Sequence, residues 1–124
     1  MEYSFEKLLV YQTARKLVKD VYILIQRFPT EERFALCDQV RRAIISVPSN
    51  IAEQSGRTSY KERIHFLDIA YGSPMEAYCQ LEIAVDLGYL TEDELNNVRN
   101  LFFDTSRLII GLKKKFAVLS LADK

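Results

Sequence analysis

His65 and Asp68 stand one helical turn apart, and in a hairpin turning near Ser59 the carboxylate of Glu53 comes opposite His65. An imidazole between two carboxylates is the smallest grouping here that could hold a metal ion or move a proton. A di-metal bundle, however, needs Glu-x-x-His on two helices and further carboxylates. The chain has 1 histidine in 124 residues, so the spacing favours a polar, partly buried His65 bonded to Glu53 over a metal centre. Cys37 and Cys79 offer a nucleophile, but neither has a histidine near it in sequence to serve as base. They are too few and too far apart for a disulfide framework or a thiolate metal site, and their apolar helical context reads as two reduced core thiols. No glycine-rich phosphate cradle is present. The expectation is a protein without catalytic, metal or cofactor chemistry.

Phosphate recognition is the remaining chemistry. Lys113, Lys114 and Lys115 form the one compact basic run, and Arg41, Arg42 and Arg57 are the other candidates to touch a nucleic-acid backbone. Each has a plainer alternative. The lysines suit the negative end of a helix, and hairpin register places Arg41 and Arg42 near Glu76 and Gln80 as ion-pair or hydrogen-bond partners. Overall charge gives no push, because 17 Lys and Arg balance 17 Asp and Glu. Oligomerisation would change this locally: five copies on one rim gather about fifteen lysines, enough to hold a phosphate backbone at low salt.

Four helical patterns position these residues. The first carries Phe5, Leu8, Leu9, Leu17, Val18, Val21, Leu24, Ile25 and Phe28 at three- and four-residue steps and stops at Phe28-Pro29. The second opens at Thr30 or Glu31 and runs through Cys37, Val40, Ile44, Val47 and Ile51 without a change of phase at Pro48. A kinked but continuous helix fits that stripe better than two separate helices. Residues 54–59 form the turn, with Gly56 as C-terminal cap and Ser59 with Glu62 as a capping box. The third helix spans about Tyr60 to Leu87, contains Pro74 and ends at Gly88; Thr91 to Glu94 is a second capping box. The fourth has a heptad-like seam of Leu95, Val98, Phe102, Thr105, Ile109, Leu112, Phe116 and Leu119. Short connections then predict a single domain over residues 1–124, an all-α, up-down-up-down antiparallel four-helix bundle with proline-kinked second and third helices.

Equal rise on the two helices of the central hairpin makes partner numbers sum to about 118. Ser46 and Ser49 then face the Gly72-Ser73 region, and Ala43 and Ala52 face Ala70 and Ala77. Small residues on both sides permit a close approach, with Pro48 and Pro74 at nearly one level as matched bends. The carbonyls of Ile44 and Ala70 lose their helical donors to the prolines and await Ser, Asn or water.

The segment Ser46-x-Pro48-x-Asn50-Ile51-Ala52-Glu53, then Gly56-Arg57, then Phe66-Leu67-x-x-Ala70-x-Gly72-Ser73-x-x-Glu76, carries a resemblance. It continues through Gln80-Leu81 and Leu87-Gly88-Tyr89-Leu90, and upstream Phe5, Leu8, Ala14, Leu17, Gln39, Arg41 and Arg42 also fit. The pattern resembles the four-helix-bundle family named after proteins encoded by intervening sequences in bacterial 23S ribosomal RNA genes. That family includes the accessory variability determinant proteins of diversity-generating retroelements. The resemblance implies a homopentamer, five bundles around an axis, and in the retroelement branch a basic barrel that binds nucleic acid and a reverse transcriptase. The chain departs from the pattern at Gln54, where glycine is usual, at Tyr78, where an acidic residue is common, and at Pro74, which follows Gly-Ser directly. It also departs in charge, since the retroelement proteins are strongly basic.

Two functions follow as expectations. One is a non-catalytic oligomeric accessory protein that binds RNA or DNA; the other is a structural or protein-protein adaptor on the same scaffold. The N-terminal Met-Glu-Tyr-Ser has no basic region followed by an apolar run, and no stretch approaches the length of a membrane span, so a cytoplasmic protein is expected.

Overall fold

Most of the apolar positions read from the sequence are buried or half-buried in the computed structural model, which describes residues 1–122, but Leu9, expected in the first stripe, is 63% exposed. After a short 3-10 helix at Ser4–Lys7, helix α1 spans Leu9–Ile25, α2 Leu36–Ser55, α3 Tyr60–Asp86 and α4 Glu92–Ala122. Each helix packs against two others, α1 on α2 and α4, and α3 on α2 and α4. Among the described residues the diagonal pairs do not touch. With short connections this is the square of an antiparallel four-helix bundle, and no strand occurs among the described residues.

The core is drawn from all four helices. Val10, Ala14, Leu17, Val21, Leu24 and Ile25 supply it from α1, and Cys37, Val40, Ile44, Val47 and Ile51 from α2. Leu67, Ala70, Ala77, Leu81 and Ala84 face it from α3, and Leu95, Val98, Phe102, Ile109 and Phe116 from α4. Full burial of one such aliphatic chain contributes roughly 1.5–3 kcal/mol, so the stripes rather than helix propensity hold the long helices in place.

Two boundaries differ from expectation. Leu8 is extended, with φ −71° and ψ 128°, and separates the 3-10 helix from α1. Thr30–Glu32 forms its own 3-10 turn, and α2 begins only at Leu36 because Ala35, at φ −118° and ψ −102°, breaks the helical run. Gly56 is the C-cap of α2, as expected, in a right-handed conformation with φ −88°. Gly88 closes α3 in a left-handed conformation: its φ of 80° lets the Tyr89 amide donate to the carbonyl of Ala84 at 2.9 Å. The expected N-caps are present. Ser59 Oγ accepts from the Glu62 amide at 3.1 Å, and Thr91 and Glu94 bond reciprocally at 3.1 and 3.0 Å.

Both prolines lie inside continuous helices. The α2–α3 pairing is the most extensive in the molecule. At its centre the hydroxyls of Ser46 and Ser73 are 2.8 Å apart, and Gln80 Nε2 donates to Gln39 Oε1 at 3.4 Å. In both pairs the residue numbers sum to 119, one more than the equal-rise expectation. The side chains expected at the prolines serve other acceptors: Asn50 Nδ2 donates to the carbonyl of Ser46 at 2.8 Å, and Ser73 Oγ reaches that of Ile69 at 2.9 Å. Pro74 turns toward α4, lining a notch with Phe102, Phe103 and Ser106. Gly72 is exposed, with open space where a Cβ would stand, and Ser49 is exposed as well. The close approach therefore rests on Ser46 and Ser73, and Gly72 has no part in it.

Candidate nucleic-acid interface

The six candidate cations separate into two groups at opposite ends of the bundle. Arg41 and Arg42 lie near the start of α2 and Arg57 just beyond its end, roughly 22 Å away at the helical rise of 1.5 Å per residue. The fourth helix runs back toward the α2–α3 turn, and Lys113 meets Asp68 of α3 at 2.5 Å. Arg57 and the three lysines therefore share one end of the bundle.

At that end Arg57 has two partners. It is ion-paired with Glu53 on the turn below it, and its guanidinium lies over the ring of Phe66, 4.6 Å from the centroid. Arg63, which the sequence did not single out, is the organising residue. Its Nε donates to the carbonyl of Arg57 at 3.0 Å and its Nη2 to that of Ser55 at 3.4 Å, tying α3 to the end of α2. The same guanidinium sits 5.4 Å from the ring centroid of Phe116, which stacks with Tyr60 at 5.7 Å. The signal was present: Arg63 stands one turn before Phe66 and Leu67, at a helix start rich in aromatics.

The lysines divide by engagement. Lys113 is half-buried and held by Asp68, whereas Lys114 and Lys115 are exposed and make no ion pair among the described residues. The candidate surface is then two ammonium groups without an ion pair among the described residues and, toward the same end of the bundle, two guanidiniums that lie on aromatic faces. Such an arrangement offers phosphate contacts together with flat surfaces.

At the other end Arg42 pairs with Asp38 one turn earlier at 3.3 Å, and Arg41 Nη2 donates to the carbonyl of Arg33 at 3.2 Å. Neither meets Glu76 or Gln80, which bond to one another at 3.5 Å. The expected cross-helix pairing of Arg41 and Arg42 is replaced by contacts within a turn or two of each, which cost less side-chain entropy to form.

The histidine reading is also corrected. His65 is exposed, packs edge-on against Phe66 with centroids 5.4 Å apart, and has no bond to Glu53, which Arg57 occupies. Among the described residues no three His, Cys, Asp or Glu side chains are grouped to hold a metal. Of the two thiols only Cys37 is a core residue; Cys79 is exposed. Burial pushes the Cys37 thiol above the ordinary cysteine value, against an opposing pull from Arg41. Among the described residues no helix is long and apolar enough to cross a membrane.

A sequence model of the family described as 23S rRNA-intervening sequence protein matches residues 6–111, which include the whole proline-bearing hairpin. No curated protein matches the chain.

Proposed function

The chain belongs to the 23S rRNA-intervening sequence protein family, and from that premise we propose that it is a non-catalytic, homo-oligomeric bundle protein of the cytoplasm whose basic end holds a nucleic-acid backbone. The supporting observation is the convergence of Arg57, Arg63, Lys114 and Lys115 on one end of the bundle, with both guanidiniums laid on aromatic rings. A protomer with zero net charge cannot attract nucleic acid through its overall field. A ring of subunits presenting this end together concentrates the lysines on one rim. Self-association has its own support in exposed apolar side chains: Ile69, Ile83 and Leu87 along α3, and Met75 with Phe103 beside the α3–α4 notch. Five copies, as the resemblance implies, is the expected number, and a reverse transcriptase is the protein partner implied by the retroelement branch.

The test is anisotropy of a labelled structured RNA at two salt concentrations, with sedimentation velocity read against multiples of the 14.4 kDa protomer. Affinity should fall with salt, and Lys114→Ala with Lys115→Ala should reduce the logarithmic salt slope by about 1 for each lysine that meets a phosphate. Absence of binding at low salt, or an unchanged slope, overturns the interface. A second reading, the adaptor, is favoured by the capture of Arg57 and Lys113 by Glu53 and Asp68. Weak, salt-insensitive RNA association from an oligomer that remains intact is its signature.

A further inference from the structure

The opposite end of the bundle carries a cleft that the basic rim does not use. It is a recess of about 420 Å³ between the end of α1 and the start of α2, walled by Tyr22, Phe28, Thr30, Arg33, Cys37 and Arg41. That volume lies within the range of small-ligand sites, about 300–1,000 Å³. Its walls are mainly apolar, from Tyr22, Phe28 and the side chain of Ile25, and its polar side chains include the guanidiniums of Arg33 and Arg41, the Thr30 hydroxyl and the Gln26 amide.

The two arginines, like Arg15, Arg63 and Arg99, carry no carboxylate partner among the described residues, whereas Arg27, Arg42, Arg57 and Arg107 are all tied to carboxylates. Arg41 is instead oriented by the carbonyl of Arg33 at 3.2 Å, and Arg33 lies over the ring of Phe34 at 5.3 Å. Guanidiniums without a carboxylate partner are the groups that bind phosphate by paired hydrogen bonds. Glu32 is the carboxylate that acts on this region, and the Tyr89 hydroxyl engages it at 2.9 Å. Two guanidiniums thus stand over an aromatic floor. The Cys37 thiol, donating to the carbonyl of Ile25 at 3.8 Å, lies in the wall as a neutral group.

We propose that this cleft binds a planar, phosphate-bearing ligand of mononucleotide size, with the phosphate on Arg33 and Arg41 and the ring against Tyr22 and Phe28. Two sources share that chemistry: a free nucleotide, and the 5′-terminal nucleotide of a single-stranded RNA. The site goes beyond the rim reading and does not depend on it.

The experiment is a set of titrations of the intact protein followed by amide chemical shifts. The probes are AMP, adenosine, inorganic phosphate, and a trinucleotide with either a 5′-phosphate or a 5′-hydroxyl. AMP should saturate shifts centred on Tyr22, Arg33, Cys37 and Arg41. Adenosine and inorganic phosphate, each meeting half of the site, should bind at least about tenfold more weakly. Arg33→Gln, an exposed position where the change is harmless to folding, should weaken AMP by about tenfold, with Arg41→Gln as a second variant. Lys114→Ala with Lys115→Ala should leave AMP binding unchanged, which separates this site from the rim. Tighter binding of the 5′-phosphate trinucleotide than of AMP assigns the site to an RNA end; the reverse assigns it to a free nucleotide. No saturable shift at these amides, equal binding of inorganic phosphate and AMP, or unaltered affinity in Arg33→Gln overturns the proposal.

Discussion

The hydroxyls of Ser46 on α2 and Ser73 on α3 are 2.8 Å apart, and this pair fixes the spacing of the two most extensively packed helices. Asn50 Nδ2 completes the group, donating to Ser46 Oγ at 2.9 Å from one turn away. The pair joins helices whose residues are 27 positions apart in sequence, so removing either hydroxyl acts on tertiary structure. Ser46→Ala and Ser73→Ala should each cost about 1 kcal/mol in urea unfolding. Their double-mutant cycle should show a coupling of about 0.5 kcal/mol or more, because each single change removes the same inter-helix contact. Ser73→Leu should cost about 1–3 kcal/mol by forcing the helices apart. Additive alanine variants would mean that the hydroxyls ignore one another.

Gly72 and Gly88 should respond to alanine with opposite signs. Gly72 is mid-helix, exposed and unobstructed, so Gly72→Ala removes backbone freedom from the unfolded chain and should stabilise by about 0.5–1 kcal/mol. Gly88 has a φ of 80°, so Gly88→Ala should destabilise by about 1 kcal/mol despite equally open surroundings. Thermal melts of the two variants check both. If Gly72→Ala instead weakens the oligomer in sedimentation, this face of α3 lies in a subunit contact.

The bundle was legible because burial is periodic. The stripe Cys37, Val40, Ile44, Val47, Ile51 kept its phase through Pro48, and all five residues are buried on one continuous helix. The seam of α4 likewise predicted Leu95, Val98, Phe102, Thr105, Ile109 and Phe116, which are buried, along with Leu112 and Leu119, which are only half-buried. Residue-number arithmetic placed the α2–α3 register within one residue, since it needs only the rise per residue. The polar site was less legible, for a physical reason. Glu53 has a cation at i+4 in Arg57 and a histidine across the turn, and periodicity does not say which one a flexible side chain takes. The local partner wins here, as it does for Arg42 with Asp38. Cys79 failed similarly: it adjoins the buried Gln80, and one residue is a rotation of about 100° out of the core.

The two thiols should separate cleanly in reactivity. In the folded protein Cys79 should react promptly with a disulfide reagent while Cys37, buried and with its pKa raised by desolvation, waits for unfolding. Cys79→Ser should therefore abolish the fast phase and Cys37→Ser should leave it intact. A slow Cys79 in the assembled protein would place it beneath a neighbouring subunit.

Alkaline pH should destabilise the fold through two groups. Burial raises the Cys37 pKa, and the hydrogen bond to Glu32, followed by desolvation, raises that of Tyr89. In both cases the unfolded chain releases its proton more readily. The stabilisation is complete below the unfolded-state values and is lost as pH rises through the folded-state ones. Urea midpoints should hold through neutrality and decline above about pH 9. Tyr89→Phe, which lacks the ionisable hydroxyl, should make that decline shallower; an identical slope would remove Tyr89 from the account.

Gln54 offers the clearest chance to stabilise the protein. It is 1% exposed at the last turn of α2, and its Oε1 meets no hydrogen-bond donor among the described residues. An unsatisfied buried acceptor costs about 1–3 kcal/mol, whereas an apolar side chain of similar volume keeps the packing and removes that penalty. Gln54→Leu should raise stability by about 1 kcal/mol or more in urea unfolding. Gln54→Ala should lower it, since a cavity replaces the stem among core neighbours. Glycine, usual at this position in the pattern the chain resembles, should cost more still, because it also adds backbone freedom to the unfolded chain. Loss of stability in Gln54→Leu would show that the amide has a partner in the assembled protein, and a shift in oligomer mass in the same variant would place that partner on another subunit.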